Sequence, residues 1–169
     1  MTRRSARSAT SRTPSSRGAR ARPGRPAFVV VGNPGCRRVA LFQAALARGG
    51  LPPATFVSYA DLIAGRVSLE QAVPPGAVVR LESPGRDFLV EKALLAAGAD
   101  EADADGPTRI SRRQASRLAF DKGRIWYPRQ WYLGLRALLR RLGEQLSRCP
   151  PCVRMNRPAD VEEIGRAHV

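Results

Sequence analysis

Ala27-Phe-Val-Val-Val-Gly-Asn-Pro-Gly35 decides how the rest of the chain is to be read. Its first half is an unbroken β-branched run of the kind found in strands buried on both faces, and Gly32-Asn-Pro-Gly35 then forces a turn. Beyond the turn, Val39, Phe42 and Leu46 recur at three- and four-residue spacing between Arg37 and Arg48, and Gly49-Gly50 follows as a helix stop. Ala54-Thr-Phe-Val-Ser-Tyr59 reads as a second strand. Strand, helix and strand within about thirty residues make a parallel βαβ unit with a right-handed crossover.

Working outward, Asp61 to Gly65 reads as one helical turn capped by Asp61, and Pro74-Pro75-Gly76 breaks the chain before a third strand, Ala77-Val-Val-Arg-Leu-Glu82. Ser83-Pro-Gly85 turns it back. Asp87 stands where an N-cap belongs, ahead of a second crossover helix over Phe88 to Ala97 with Gly98 as its stop. Three strands alternating with helices predict an open, mostly parallel α/β sheet in three layers, Rossmann-like in outline. Asp100 to Gly106 is acidic, has only small residues otherwise, and suggests a surface loop. Ser111 to Phe120 is a short helix candidate and Ile125-Trp-Tyr127 a brief extended piece. Pro128 then opens a long amphipathic helix, along which Trp131, Leu135, Leu138, Leu142 and Leu146 form one face and Arg129, Arg136 and Arg140 the other. Such a helix covers a sheet with a solvated basic side, or else offers a basic face to nucleic acid or membrane.

The 169 residues allow one domain of ordinary size, and 29 Lys and Arg against 14 Asp and Glu give a net charge of +15. Eight of those arginines lie in residues 1–26, where there is no acid, so the remainder carries only +7. Ala, Gly, Pro and Arg abound and lysine appears only as Lys92 and Lys122, the usage of a chain encoded by GC-rich DNA. Residues 1–26 contain no large apolar side chain after Met1 and cannot offset their ordering entropy by burial, so a disordered basic tail is expected there. Its composition fits an organellar transit peptide and fits equally an upstream start codon read through in such a genome. A nucleic-acid surface would need arginines gathered on one face together with stacking aromatics, and the tail has none. No run approaches the roughly 20 apolar residues of a membrane span, and none forms the apolar core of a secretory signal. The expected compartment is the cytoplasm.

Two places carry candidate chemistry. At the first turn, Gly32, Gly35, Arg37 and Arg38 could hold a phosphate at a helix N-terminus on the switch-point side of the sheet. The turn lacks the third glycine of a dinucleotide fingerprint and the Gly-Lys-Ser/Thr of a P-loop, and Pro34 removes a donor, so a plain tight turn is the competing reading. The second place is the aromatic cluster around Trp126, Tyr127, Trp131 and Tyr132. Arg129, Gln130 and Trp131 there are candidates for contact with a small-molecule substrate, unless the cluster only anchors the helix. Cys149-Pro-Pro-Cys152 is a single C-x-x-C with only Cys36 and His168 left to complete a zinc site. It follows a helix C-terminus, where the dipole disfavours a thiolate, so neither metal nor redox enzyme chemistry is expected of it. Nothing reads as a nucleophile with its base, a catalytic carboxylate pair or a metal cluster.

The segments Phe28-Val-Val-Val-Gly-Asn-Pro-Gly35, Arg37-Arg-Val-Ala-Leu-Phe-Gln43, Ser83-Pro-Gly85, Gly123-Arg-Ile125, Pro128-Arg-Gln-Trp-Tyr-Leu-Gly134 and Met155-Asn-Arg-Pro-Ala-Asp160 resemble, in this order, the start of a family of bacterial ATP-grasp-like proteins. The resemblance runs from about Ala27 to Val161, with Pro-Arg-Gln-Trp-Tyr-Leu-Gly its most specific piece. It implies an α/β domain of pre-ATP-grasp type over residues 27–154. A junction at Asn156, Ala159 and Val161 would then open the ATP-grasp part over residues 155–162. It also implies that ATP and magnesium are held by residues further on, in a parent that joins a carboxylate to an amine, with no cofactor held by this part itself. Glu163-Ile-Gly-Arg-Ala-His-Val169 resembles the translation of a short-read sequencing adapter, which implies a reading frame cut by assembly and makes His168 foreign to the protein.

Overall fold

The computed structural model describes residues 25–85, 87–101, 109–122 and 127–156. The expected tail over residues 1–26, apart from Arg25 and Pro26, lies outside them, as do Trp126, Ala159, Val161 and the adapter-like stretch. Strand β1 (Phe28–Gly32) leads into helix α1 (Arg37–Arg48) and strand β2 (Thr55–Ser58). Short helices α2 (Tyr59–Ile63) and α3 (Leu69–Ala72) then carry the chain to β3 (Val78–Leu81). Helices α4 (Phe88–Glu101), α5 (Arg112–Ser116) and α6 (Pro128–Arg148) precede strand β4 (Val153–Arg154). Among the described residues the four strands are all parallel, in the order β2-β1-β3-β4.

Helices cover both faces of the sheet. Val29 and Val31 of β1 point to the main core, where Val57, Val79 and Leu81 meet Leu62, Leu69, Val90, Leu94, Leu135, Leu138, Leu139, Leu142 and Leu146. Val30 points the other way, into a smaller cluster with Val39 and Leu46 of α1. This two-sided burial is why β1 reads as continuous Val rather than alternating residues. Each fully buried Leu or Val contributes about 1.5–3 kcal/mol, so the leucine stripe of α6 is the largest single source of cohesion. On the α1 face, the β3–β4 end is less covered: Val153 pairs with half-buried Val78 and is 61% exposed, and Met155 beyond it is 52% exposed. No helix among the described residues is long and apolar enough to cross a membrane.

Several local expectations change. Helix α2 begins before Asp61, and its cap is Ser58, whose hydroxyl accepts from the Ala60 N–H at 3.1 Å. Asp61 sits in the first turn instead, paired with Arg66. Asp87 does cap α4, accepting from the N–H groups of Leu89 and Val90 at 3.0 and 3.2 Å. Gly98, however, does not stop that helix, which runs to Glu101 and so takes in the start of the expected acidic loop. A Cβ on Gly98 would lie 2.9 Å from the carbonyl carbon of Gln130 and from the nitrogen of Gly134. Gly134 in turn faces Leu94 and Gly98, so the two glycines are there to let α4 and α6 touch backbone to backbone. Helix α5 is shorter than expected but has a full capping box between Ser111 and Gln114. Tyr127 is not extended: it takes a left-handed conformation at φ 40° ahead of Pro128. Strand β4 and helix α3 have no counterpart among the elements the sequence pattern predicts.

Candidate functional site

Among the described residues the buried polar side chains are Asn33, Ser58, Glu82 and Gln130. The first three stand at the carboxyl ends of β1, β2 and β3, the edge at which open parallel sheets bind ligands. From β1 the chain leaves along one face through α1 to β2, whereas from β3 it leaves along the other face towards β4. The gap between the ends of β1 and β3 is therefore a topological switch point.

Glu82 is the centre of this mouth. Its N–H donates to Val31 O at 2.8 Å, which carries the β1–β3 ladder one residue past the strand. Its carboxylate is only 5% exposed and meets Arg38 Nε at 2.8 Å and Arg80 Nε at 2.6 Å. The Arg80 guanidinium also lies over the Phe42 ring, 4.9 Å from its centre. The buried Tyr59 hydroxyl donates to the Glu82 carbonyl at 2.5 Å. Burial pushes the Tyr59 hydroxyl far above the ordinary tyrosine range, the Glu82 charge adds to this, and Arg38 opposes it. Tyr59 is thus a neutral donor at any physiological pH.

Asn33 bridges the two loops of the mouth. Its Nδ2 donates to Pro84 O at 2.5 Å and reaches Gly85 O at 3.4 Å, tying the turn after β1 to the turn after β3. Its Oδ1 is enclosed and accepts no hydrogen bond among the described residues. Gly32 leaves the room that α1 needs, since a Cβ there would stand 3.0 Å from Val39 Cγ2. Gly35 supplies the positive φ of 73° that the turn requires.

Of the four phosphate candidates, all lie at this mouth, but their roles divide. Gly32 and Gly35 shape the backbone, Arg38 is engaged by Glu82, and Arg37 is exposed in the first turn of α1. That first turn holds no acid and Cys36 at the N-cap makes no side-chain cap. Two arginines beside the positive end of a helix dipole favour an anion nearby, each such charge being worth about 0.3–1 kcal/mol. Glu82 supplies part of it. The mouth does not suit a magnesium ion, because both oxygens of its buried carboxylate are taken by guanidinium groups. Among the described residues no three His, Cys, Asp or Glu side chains gather closely enough to hold a metal.

The aromatic candidates lie elsewhere. Gln130 is 2% exposed and its amide is spent on backbone: Oε1 accepts from Ile110 N at 3.0 Å, and Nε2 donates to Leu95 O at 2.6 Å and Ile110 O at 2.9 Å. It is a staple between α4, α6 and the segment entering α5, with no amide group left for a substrate. Trp131 packs half-buried between two core clusters, and Arg129 is exposed one residue before Gln130. Asn156, the junction residue of the resemblance, pairs with the sheet: its Oδ1 accepts from Leu81 N at 2.8 Å and its Nδ2 donates to Leu81 O at 2.5 Å. Against family models, curated proteins and solved structures, the chain has no match.

Proposed function

We propose that this chain is a non-catalytic α/β module of pre-ATP-grasp type, whose task is to support and help shape the substrate side of an ATP-dependent carboxylate–amine ligase. The observation that carries the reading is the route of the chain at β4. Val153–Arg154 pairs in parallel with β3, Met155 N–H donates to Val79 O at 2.9 Å, and the Asn156 side chain continues the ladder on Leu81. The residue that the resemblance marks as the junction is thus hydrogen-bonded to the sheet, which would hold a following unit in a fixed orientation. The chemistry of the mouth agrees, since its one buried carboxylate is neutralised by two arginines and its phenol is locked as a donor. Such groups position and do not transfer protons. ATP and magnesium belong, on this reading, to residues outside the α/β unit. The purified chain, given ATP, magnesium and mixed carboxylic acids and amines, is expected to release no ADP, and steady ADP formation by the chain alone would overturn the proposal.

One observation favours a second reading. The uncapped, arginine-flanked start of α1 at the switch point suits a phosphate-bearing small molecule, which would make the chain a nucleotide-binding module in its own right. Calorimetry with common nucleotides would then show saturable heat that Arg37→Ala and Arg38→Ala weaken. Absence of heat with the intact chain removes this reading.

A further inference from the structure

Cys149 and Cys152 stand apart from the mouth, and their surroundings are built in a way that the C-x-x-C spacing alone does not reveal. Cys149 closes α6, its N–H donating to Gln145 O at 3.1 Å. Two and four residues later the chain is already fixed to the sheet, for Pro151 O accepts from Gly76 N at 2.8 Å and Val153 N donates to Ala77 O at 2.8 Å. The four-residue connector is therefore held at the helix on one side and at β3 on the other, with two prolines of fixed φ between. Both cysteines are half-buried and both pack against the same core cluster. The two thiols thus border the same core, and Cys152 lies near enough to act electrostatically on Cys149. Little conformational freedom is left to lose if they join.

The electrostatics select what such a pair can do. Burial pushes the Cys149 thiol up, with the neighbouring Cys152 and Glu70 adding and Arg154 opposing. The negative end of the α6 dipole acts in the same direction. In thiol–disulfide enzymes a stabilised thiolate makes the reduced form favourable and the disulfide strongly oxidising. Here that stabilisation is lacking, so the balance moves towards the closed form and away from catalytic turnover.

We propose that Cys149 and Cys152 are a redox clip, a dithiol that closes to an intramolecular disulfide by exchange with a low-molecular-weight disulfide and stiffens the turn from α6 into β4. One cysteine thiolate attacks the external disulfide, breaking its S–S bond, releasing one small thiol and leaving a mixed disulfide on the protein. The second cysteine thiolate attacks the protein-bound sulfur and expels the other small thiol. The protein dithiol has lost two electrons, the external disulfide has gained them, and the two protons end on the released thiols. Because β4 follows Cys152 directly, closure holds the start of the strand that leads to Asn156.

The test is equilibration of the whole chain with reduced and oxidised glutathione, acid quenching, and mass analysis of the peptides. The expected result is loss of two hydrogens from the peptide carrying both cysteines, while Cys36 is found only as thiol or glutathione adduct. Cys149→Ser should convert Cys152 from disulfide partner to glutathione adduct. Hydrogen exchange at Val153 and Arg154 should slow on oxidation of the wild-type chain and not of the variant. Glutathione adducts on both cysteines without ring closure, or thiols that stay reduced while Cys36 is modified, would overturn the clip. The wild-type measurement decides even if the serine variant fails to fold.

Discussion

Replacing Gly134 by alanine puts a methyl group 2.7 Å from the carbonyl carbon of Leu94 and 2.9 Å from the nitrogen of Gly98, and closer still to the Leu94 oxygen. Ordinary contacts of a Cβ begin at 3.4 Å, and the obstacles here are backbone atoms that cannot swing aside. Helices α4 and α6 would have to part by roughly 0.7 Å or more, and a gap of that size forfeits about a quarter to a half of each dispersion contact across it. Val90, Leu94 and Leu95 on one helix and Leu135, Leu138 and Leu139 on the other are the side chains that lose. Overpacking of this kind costs about 3 kcal/mol, the upper end of the usual range. Alanine returns about 1 kcal/mol through helix propensity, leaving a net loss of about 2 kcal/mol or a Tm lower by roughly 6 °C. Urea unfolding followed by far-UV circular dichroism measures it. Gly98→Ala should behave alike, and the double variant should cost less than the sum, since helices parted by the first methyl already admit the second. Were Gly134→Ala to raise stability by about 1 kcal/mol, as propensity alone demands, the helices would not be in backbone contact and the explanation of both glycines would be wrong.

Other outcomes follow from the polar groups. Gln130→Leu keeps the volume but strands the N–H and carbonyl of Ile110 in the core and removes the second donor to Leu95 O, and should cost about 2–3 kcal/mol in the same assay; a neutral effect would mean the amide is not the staple described. Glu82→Gln removes the charge that Arg38 and Arg80 share, and should lower stability by about 1–3 kcal/mol, reduced from the cost of a fully buried pair because Arg38 is 58% exposed; unchanged unfolding would refute its place at the centre of the mouth. Tyr59 carries a pH signature. Its hydroxyl is held protonated in the fold beyond the ordinary tyrosine value of about 10, so the stability it contributes is whole below that value and is lost as pH rises past it. Tyr59→Phe should cost about 1 kcal/mol at neutral pH and flatten the alkaline decline of stability, and an equally steep decline in the variant would count against the assignment.

The elements that were legible before the structure are those set by local pattern. The Val run of β1, the Gly-Gly stop after α1, the Asp87 cap and the leucine stripe of α6 each carry their own signal within a few residues. The errors share one cause. Gly98 looks like a stop because glycine ends helices, whereas its reason lies in Gly134, thirty-six residues away. Gln130 looks like a ligand contact because a polar residue beside arginine and tryptophan suggests recognition, and only the placement of Leu95 and Ile110 reveals that its hydrogen bonds are internal. Strand β4 has two residues and no period to detect. At the mouth, the turn and its arginines were visible, but the pairing of Arg38 with Glu82 depends on β1 lying between β2 and β3. An arginine and an acid two residues apart on one face of an apolar strand, Val-Val-Arg-Leu-Glu82, are the signal that could have found it.

The claim on which the functional account rests is that this sheet was made to hold ATP-dependent machinery joined to it in one polypeptide. Reading the genomic locus through the codons for Asn156 and Val161 tests it most directly. The account predicts that the frame continues into a lysine-bearing ATP-grasp sequence with acidic and amide ligands for magnesium near its end. An authentic stop codon after Val169, together with substrate turnover by that product unaided, would contradict it.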